Sequence, residues 1–353
     1  MLSKRHPGCA HLASLRRQYL RLLLVEPYAN ESKDAETHLW MQTSYQFISL
    51  YKQSLAALEQ TLQSAPRHQP RQGGHGPVEY RKLMQRFRQF LSDEEKFWTQ
   101  FVVRYQRSFA LHQARPVLVA LNILTPSDEA SLPSLPDSGD SNGGSNQTHG
   151  RNHFSFPPEE STPAPDPSEH DSRLAIFSKA IVCLGDIARY RELYNEAGGR
   201  PKAGHEDGTV PAKRGGRGRR GGIPGFDSIP RARNYDKAIQ CYEQARFLFP
   251  VEGNSSHQLA VLAFYQGDMF SSLFHHYRAL CVRQPYDTAS ENVKKILNKA
   301  LEQKSKKTKD VPQTTIPESG EVPPRLRVEF LKENVVLLHA LWRLGSDKLV
   351  YPS

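Results

Sequence analysis

The chain has 353 residues and a net charge of +10, and 38% of its residues are hydrophobic. This length suits two domains or one extended helical array, while 25 prolines indicate that part of the chain does not fold. The longest apolar run near the N-terminus, residues 20–25, is too short to cross a bilayer, and no signal-peptide pattern accompanies it. We therefore expect neither a membrane-spanning nor a secreted protein, and no membrane partner.

The four cysteines are scattered along the chain, with no C-x-x-C pair among them. Such spacing predicts buried thiols in a reducing compartment rather than disulfides or a zinc site. We therefore expect a cytoplasmic and nuclear protein. The cysteines are Cys9, Cys183, Cys241 and Cys281.

Apolar residues recur every three or four positions through the N-terminal segment 1–130, which predicts helices. Three helical patterns are visible there, over residues 11–26, 38–62 and 78–110, with a break near Ser92 in the last. No stretch alternates polar and apolar residues as a strand does. The expected fold is all-α.

The rest of the chain alternates between helical patterns and segments with little apolar content. Two long stretches are predicted to be disordered loops, the linker 131–172 and a basic glycine-rich insert at 198–233. Helices are predicted at 173–197, 233–250, twice within 255–283, at 286–303 and at 327–345, with a linker at 304–325. The last helix, within 326–353, has an apolar face that we expect a longer protein to cover.

The helical region 173–303 has the spacing of tetratricopeptide repeats, which pair two helices in about 34 residues. Leu184 and Gly185 fit the first helix of one repeat. The second helix is marked by Ala238, Tyr242, Ala245 and Pro250. The turn between the two helices is then expanded by about 40 residues, compared with the usual repeat, which accommodates the basic insert. A second unit follows in register and ends at Pro285.

The segment CLGDIARYRE, residues 183–192, carries more polar groups than repeat packing requires. Asp186 stands one turn before Arg189 and Tyr190, so its carboxylate is in reach of the arginine. A fixed guanidinium beside a tyrosine hydroxyl suits capture of a phosphate. The alternative is a repeat helix with an Asp–Arg pair on its solvated face.

This Gly-Asp-x-x-Arg-Tyr motif resembles the phosphoserine-binding helix of 14-3-3 proteins. YKQSL, residues 51–55, resembles a second feature of those proteins, in which a lysine contacts the same phosphate. The resemblance implies that Lys52, Arg189 and Tyr190 bind phosphoserine, with Gly185 and Asp186 in support. In 14-3-3 proteins an arginine follows the lysine by seven residues, where this chain has Glu59, so we expect weaker affinity.

Together with the segment 257–293, the motif resembles the family of Ever Shorter Telomeres proteins and nonsense-mediated mRNA decay factors. The resemblance implies a 14-3-3-like helical array, tetratricopeptide-type helix pairs that begin a DNA/RNA-binding region, and the start of a helical-hairpin C-terminal region. It implies a non-enzymatic adaptor that binds a phosphorylated decay helicase and the mRNA-decay machinery. One alternative is a telomerase-associated subunit that binds telomerase RNA and single-stranded telomeric DNA. Another is a repeat scaffold without phosphate binding.

Two basic tracts remain. KRGGRGRRGG, residues 213–222, resembles RNA-binding tracts, and a solvated spacer or nuclear-import signal is an equal alternative. Its candidate nucleic-acid contacts are Arg214, Arg217, Arg219 and Arg220. A lysine run over 294–309 is predicted to be the exposed end of a helix. We find no sequence motif of an enzyme, a cofactor site or a metal site.

Overall fold

The computed structural model describes residues 7–27, 30–64, 75–125, 156, 169–195, 233–310 and 323–349. Within these ranges the regular elements are helices, and Glu252 and Gln284 form an isolated β-bridge. The prediction of an all-α fold is confirmed. Most of the predicted loops 131–172 and 198–233 lies outside the described residues. Among the described helices, none combines the length and apolarity that a membrane crossing requires.

The N-terminal helices differ in detail from the sequence pattern. α1 (Pro7–Leu24) is followed by a short 3-10 turn, α2 (Ala35–Leu39), a π-helical turn (Trp40–Tyr45), α3 (Gln46–Ser64) and α4 (His75–Ser108). The single helix predicted over 38–62 lies within an unbroken helical run from Ala35 to Ser64, and the π-helical turn inside it is the difference. The break predicted near Ser92 is wrong, because α4 continues through it and buries Leu91, Glu94 and Phe97 in succession. One serine costs a helix only a fraction of a kcal/mol.

A buried polar network joins α1, the π-helical turn and α4. Arg16 donates to both carboxylate oxygens of Glu94, at 2.8 and 3.0 Å. Ser44 donates to Glu94 Oε2 at 2.6 Å, and the Trp98 indole donates to Ser44 Oγ at 3.0 Å. These hydrogen bonds satisfy both oxygens of the buried Glu94 carboxylate, which is the condition under which buried charge is tolerated.

One residue of the predicted loop 131–172 packs on α4. The ring of Phe156 stacks on that of Phe97, with centroids 5.7 Å apart. Arg16 contacts the same Phe97 ring, with Cζ 4.0 Å from its centroid. Phe156 therefore adds an aromatic contact to the core of this unit.

α5 (Arg115–Ala120), α6 (His170–Leu193) and α7 (Asp236–Leu248) complete the first of two compact units. α6 packs against both α4 and α7, and every residue from Ala180 to Ile187 is buried. A helix covered on all sides belongs to the centre of a fold. The chain therefore divides after Leu248, within the predicted repeat region 173–303, because α6 belongs with the N-terminal helices.

The second unit contains α8 (Asn254–Tyr265), α9 (Met269–Leu280), α10 (Thr288–Asp310) and α11 (Pro324–Leu349). α10 continues seven residues into the segment predicted as a linker from 304. Small residues let α8 and α9 approach closely, since Ser272 Oγ donates to the Ala260 carbonyl at 2.8 Å. As expected, α11 has an exposed apolar face, on which Trp342 is 72% exposed.

Candidate phosphate-binding site

The site is built on α6, where Gly185 lies against α7. A β-carbon at Gly185 would stand 2.4 Å from Cε1 and 2.7 Å from Cδ1 of Tyr242. Only glycine lets the tyrosine ring lie this close. Gly185, which the resemblance places in support of the phosphate site, therefore makes room for Tyr242.

Asp186 connects the two helices through one carboxylate oxygen. Its Oδ1 accepts from the Tyr242 hydroxyl at 2.7 Å and from Arg189 Nη2 at 3.0 Å. Burial, followed by the charge of Asp186, raises the pKa of Tyr242 well above its ordinary value, so the hydroxyl keeps its proton and donates. Asp186 therefore holds Arg189 in one orientation.

The Asp186–Arg189 pair does not lie on a solvated face. Asp186 is 9% exposed and Arg189 is 8% exposed, so the alternative prediction of a pair on a solvated helix face is wrong. Removing one partner of a buried pair leaves an uncompensated charge, whereas an exposed pair contributes little. The pair therefore belongs to the packed interior, and the Arg189 guanidinium is held in a fixed position.

Lys52 and Arg189 approach the same aromatic ring. Lys52 Nζ lies 5.5 Å from the centroid of the Tyr190 ring, and Arg189 Cζ lies 4.6 Å from it. Residues 137 positions apart in sequence, on α3 and α6, thus bring two positive charges to one place. Cation–π attraction within about 6 Å offsets part of the repulsion between the two cations.

Aromatic packing positions the part of α3 that carries Lys52. The neighbouring Tyr51 stacks on Phe87 of α4, with centroids 4.9 Å apart and planes 16° apart. Phe87 in turn contacts the edge of Tyr194, just beyond α6, at 4.8 Å. This ladder fixes α3 relative to α6 through α4.

The predicted residues thus divide into two groups. The structure brings together Lys52, Gly185, Asp186, Arg189 and Tyr190. The candidate nucleic-acid arginines, Arg214, Arg217, Arg219 and Arg220, lie outside the described residues. Tyr242 was assigned only a packing role by its repeat spacing. The signal that could have revealed the role of Tyr242 is a small residue on one helix that faces a large ring on the partner helix, with a carboxylate next to the small residue.

Two of the cysteines confirm the expectation of buried thiols and one contradicts it. Burial raises the pKa of Cys183 well above its ordinary value and that of Cys241 to about 12, so both remain protonated. Cys281 is exposed, because it caps the last turn of α9 at the surface. The fourth cysteine, Cys9, has a side chain outside the described residues.

Two family matches cover most of the chain. Residues 34–195 match the family described as telomerase activating protein Est1, and residues 238–335 match the Est1 DNA/RNA binding domain. They leave unmatched only the two ends and the segment 196–237. The first match contains every residue of the candidate phosphate site except Tyr242.

Curated relatives share shorter stretches. Nonsense-mediated mRNA decay factor SMG7 of Arabidopsis thaliana is 30% identical over 126 residues, 36% of this chain and 9% of that protein. SMG7 of Danio rerio is 40% identical over 83 residues, 23% of this chain and 7% of that protein. An SMG7-like factor of Arabidopsis thaliana is 30% identical over 125 residues, which is 35% of this chain and 10% of that protein. The aligned stretches therefore span at most about a tenth of these relatives.

The two matched domains and the similarity to three decay factors agree with the motifs in the sequence. The chain belongs to the family of Est1 and the SMG7-type nonsense-mediated mRNA decay factors.

Proposed function

We propose that this chain is a non-enzymatic adaptor of nonsense-mediated mRNA decay that binds a phosphoserine segment of a partner protein. The observation that carries the proposal is the convergence of Lys52 and Arg189 on the Tyr190 ring. Asp186 accepts a hydrogen bond from the Arg189 guanidinium and thereby orients it. The names of the similar decay factors favour the decay pathway, and the family resemblance suggests the phosphorylated decay helicase as the partner.

The chemistry follows from the three groups. A phosphoserine carries about two negative charges near neutral pH and three acceptor oxygens. Arg189 supplies planar N–H donors, Lys52 supplies an ammonium group and Tyr190 supplies a hydroxyl. Because Asp186 already fixes the guanidinium, little side-chain entropy is lost when the phosphate binds.

Glu59 weakens this site mainly because it stands where 14-3-3 proteins have an arginine. It lies seven residues after Lys52 on α3, about 10 Å along the helix axis and on nearly the same face. At that distance in water, two unit charges interact by only about 0.4 kcal/mol. A charge-assisted hydrogen bond contributes about 1.5–3 kcal/mol, so the absent cation matters more than the added carboxylate.

A titration with a phosphoserine peptide of the helicase and its unphosphorylated counterpart tests the proposal. Replacing Arg189 with Ala should weaken phosphopeptide binding by about 1.5–3 kcal/mol, the scale of a charge-assisted hydrogen bond. The double variant Lys52→Glu, Arg189→Glu should lose phosphopeptide binding. Lys82→Glu, an exposed change on α4, is the matched control. Unchanged binding by the double variant would exclude the proposed site.

A second candidate function is favoured by the match of residues 238–335 to a DNA/RNA binding domain. In this reading the chain is a telomerase-associated subunit that binds telomerase RNA and single-stranded telomeric DNA. Lys294 and Lys295 of α10 are exposed and available to phosphates. Binding should then fall steeply with salt, and telomerase RNA should co-purify with the chain. Equal affinity for phosphorylated and unphosphorylated peptide, without nucleic-acid binding, would instead indicate a repeat scaffold.

A further inference from the structure

The helix α11 has apolar residues on two opposite faces. On one face Val336 and Ala340 are buried in the core of the second unit, against residues of α9 and α10. On the other face six large apolar side chains are between 45% and 72% exposed. They lie within a sector of about 160° that is centred on Asn334, since successive residues turn by about 100°. The six are Leu326, Phe330, Leu331, Leu338, Leu341 and Trp342.

The first two turns of α11 are exposed on every side. Each residue from Pro324 to Leu331 is exposed, although the stretch contains Leu326, Val328 and Phe330. Helical stability in proteins comes mostly from the packing of an apolar face, and a short helical stretch in water is marginal. A surface that covers this face would therefore stabilise the start of the helix.

The area of the exposed face matches that of a stable protein interface. With about 200 Å² for a large, fully exposed side chain, the six exposed fractions amount to roughly 700 Å². The largest apolar patch on a monomer is usually about 300–600 Å². A stable complex buries about 800 Å² on each partner. The face is thus large enough to hold two proteins together.

The order of residues on the face is symmetric about Asn334. Leu326, Phe330, Asn334, Leu338 and Trp342 follow one another at intervals of four and form one ridge of the helix. A two-fold axis through Asn334 would place Phe330 against Leu338 of a second copy, and Leu326 against Trp342 of that copy. Such self-complementarity is the requirement of a two-fold interface. Ridges of this spacing also form the commonest class of helix packing.

Two polar residues on the face favour an antiparallel pair. The Asn334 amide both donates and accepts, so two copies that meet on the axis satisfy each other. A single asparagine in an apolar seam fixes register and oligomeric state. Arg327 lies only about 20° from Asn334 around the helix. A parallel pair would bring it against its own copy, whereas the antiparallel pair separates the two by about 20 Å along the axis.

We propose that a second copy of this chain covers the exposed face of α11, in an antiparallel two-fold dimer centred on Asn334. The dimer goes beyond the adaptor function, because it uses no residue of the candidate phosphate site. A partner of different sequence would gain nothing from a row that reads alike in both directions from Asn334, so the symmetry favours the second copy.

Sedimentation velocity of the full chain between about 1 and 100 µM, which spans Kd values usual for such dimers, tests the proposal. A reducing buffer is needed because Cys281 is exposed. The mass should rise with concentration from 40.0 kDa towards twice that value. The double variant Phe330→Glu, Leu338→Glu should associate at least about tenfold more weakly, since it buries charge without a partner. Phe247→Glu, a change at an equally exposed phenylalanine (66%) on α7, is the matched control and should dimerise normally.

A charge exchange at Asn334 tests the position of the axis. Asn334→Asp and Asn334→Lys each bring like charges together, so each variant alone should associate more weakly than the original chain. An equimolar mixture of the two should recover dimers, which also shows that both variants fold.

Four results would overturn the proposal. The first is an original chain that stays monomeric up to the highest concentration, which would leave the face to another protein or segment. The second is a dimer that survives Phe330→Glu, Leu338→Glu, because the contact would then lie on another surface. The third is a mixture of the Asn334 variants that does not recover dimers. The fourth is growth beyond a dimer, which indicates a contact that does not close.

Discussion

Gly185 and Tyr242 are in direct contact across α6 and α7, so close that a β-carbon on the glycine would lie 2.4 Å from the tyrosine ring. The contact couples helix packing to the candidate phosphate site. The same tyrosine donates its hydroxyl to Asp186, and Asp186 holds Arg189. A change at Gly185 therefore reaches the guanidinium through two side chains.

We predict that Gly185→Ala destabilises the first unit. Alanine gains about 0.8–1 kcal/mol of helix propensity, whereas overpacking a filled core costs about 1–3 kcal/mol. Because the Tyr242 ring is fully buried and cannot move aside, the loss should prevail by about 1 kcal/mol. Urea unfolding measures the change.

Gly76→Ala is the matched control for that substitution. The new β-carbon would there meet only the end of the Leu62 side chain, at 2.9 Å, which can rotate away. The control should be neutral or slightly stabilising. Equal free energies of unfolding for the two variants would contradict a tight contact at Tyr242.

The two hydrogen bonds to Asp186 should differ in their effect on stability. Asp186→Asn removes the charge that compensates buried Arg189, and breaking a buried pair costs about 3–5 kcal/mol. Tyr242→Phe removes only a neutral donor, at a cost of about 1–2 kcal/mol. Denaturant titration of both variants should therefore rank Asp186→Asn as the more damaging. The reverse order would mean that Arg189 does not depend on Asp186.

The Arg16–Glu94 pair should behave as one unit. Arg16→Met or Glu94→Gln alone leaves one buried charge without its partner, so each should lower the free energy of unfolding by about 3 kcal/mol. The double variant should lose clearly less than the sum, with a coupling energy of at least about 1 kcal/mol. Additive losses in the cycle would show that the two side chains act independently.

The second unit should lose stability in mild acid through His276. Burial, followed by the neighbouring His257 and His275, lowers the pKa of His276 to about 3, against about 6.5 in an unfolded chain. Below pH 6.5 the unfolded chain binds a proton that the folded chain does not, so stability falls as the pH falls. Between pH 7.5 and 5 the loss should be about 2 kcal/mol.

Hydrogen exchange of the α8 and α9 amides at the two pH values measures that loss. His276→Gln removes the titrating group, so its own protection should change less between the two pH values. His276 packs near His257, with ring centroids 5.2 Å apart, and His257 contacts Tyr286 at 4.4 Å. An identical pH dependence in the variant would assign the acid sensitivity to other groups.

Much of the fold was predictable because helices leave a local pattern. The helical pattern over 173–197 places α6 within a few residues, and the spacing of Ala238, Tyr242 and Ala245 places α7. Errors fall where local pattern gives no information. Ser92 is compatible with a break or a continuous helix, and only the packing of its apolar neighbours makes α4 continuous. The π-helical turn at Trp40–Tyr45 likewise has no sequence pattern that distinguishes it from α-helix.

The sequence by itself determined most of the helices and the residues of the motif, since both depend on spacing along the chain. It also placed Asp186 within reach of Arg189, because both lie on one helix. Only the tertiary structure decided that this pair is buried, that Gly185 serves Tyr242, and that Lys52 meets Tyr190. These are contacts between helices separated by long connections, and spacing along one helix does not specify what covers its faces.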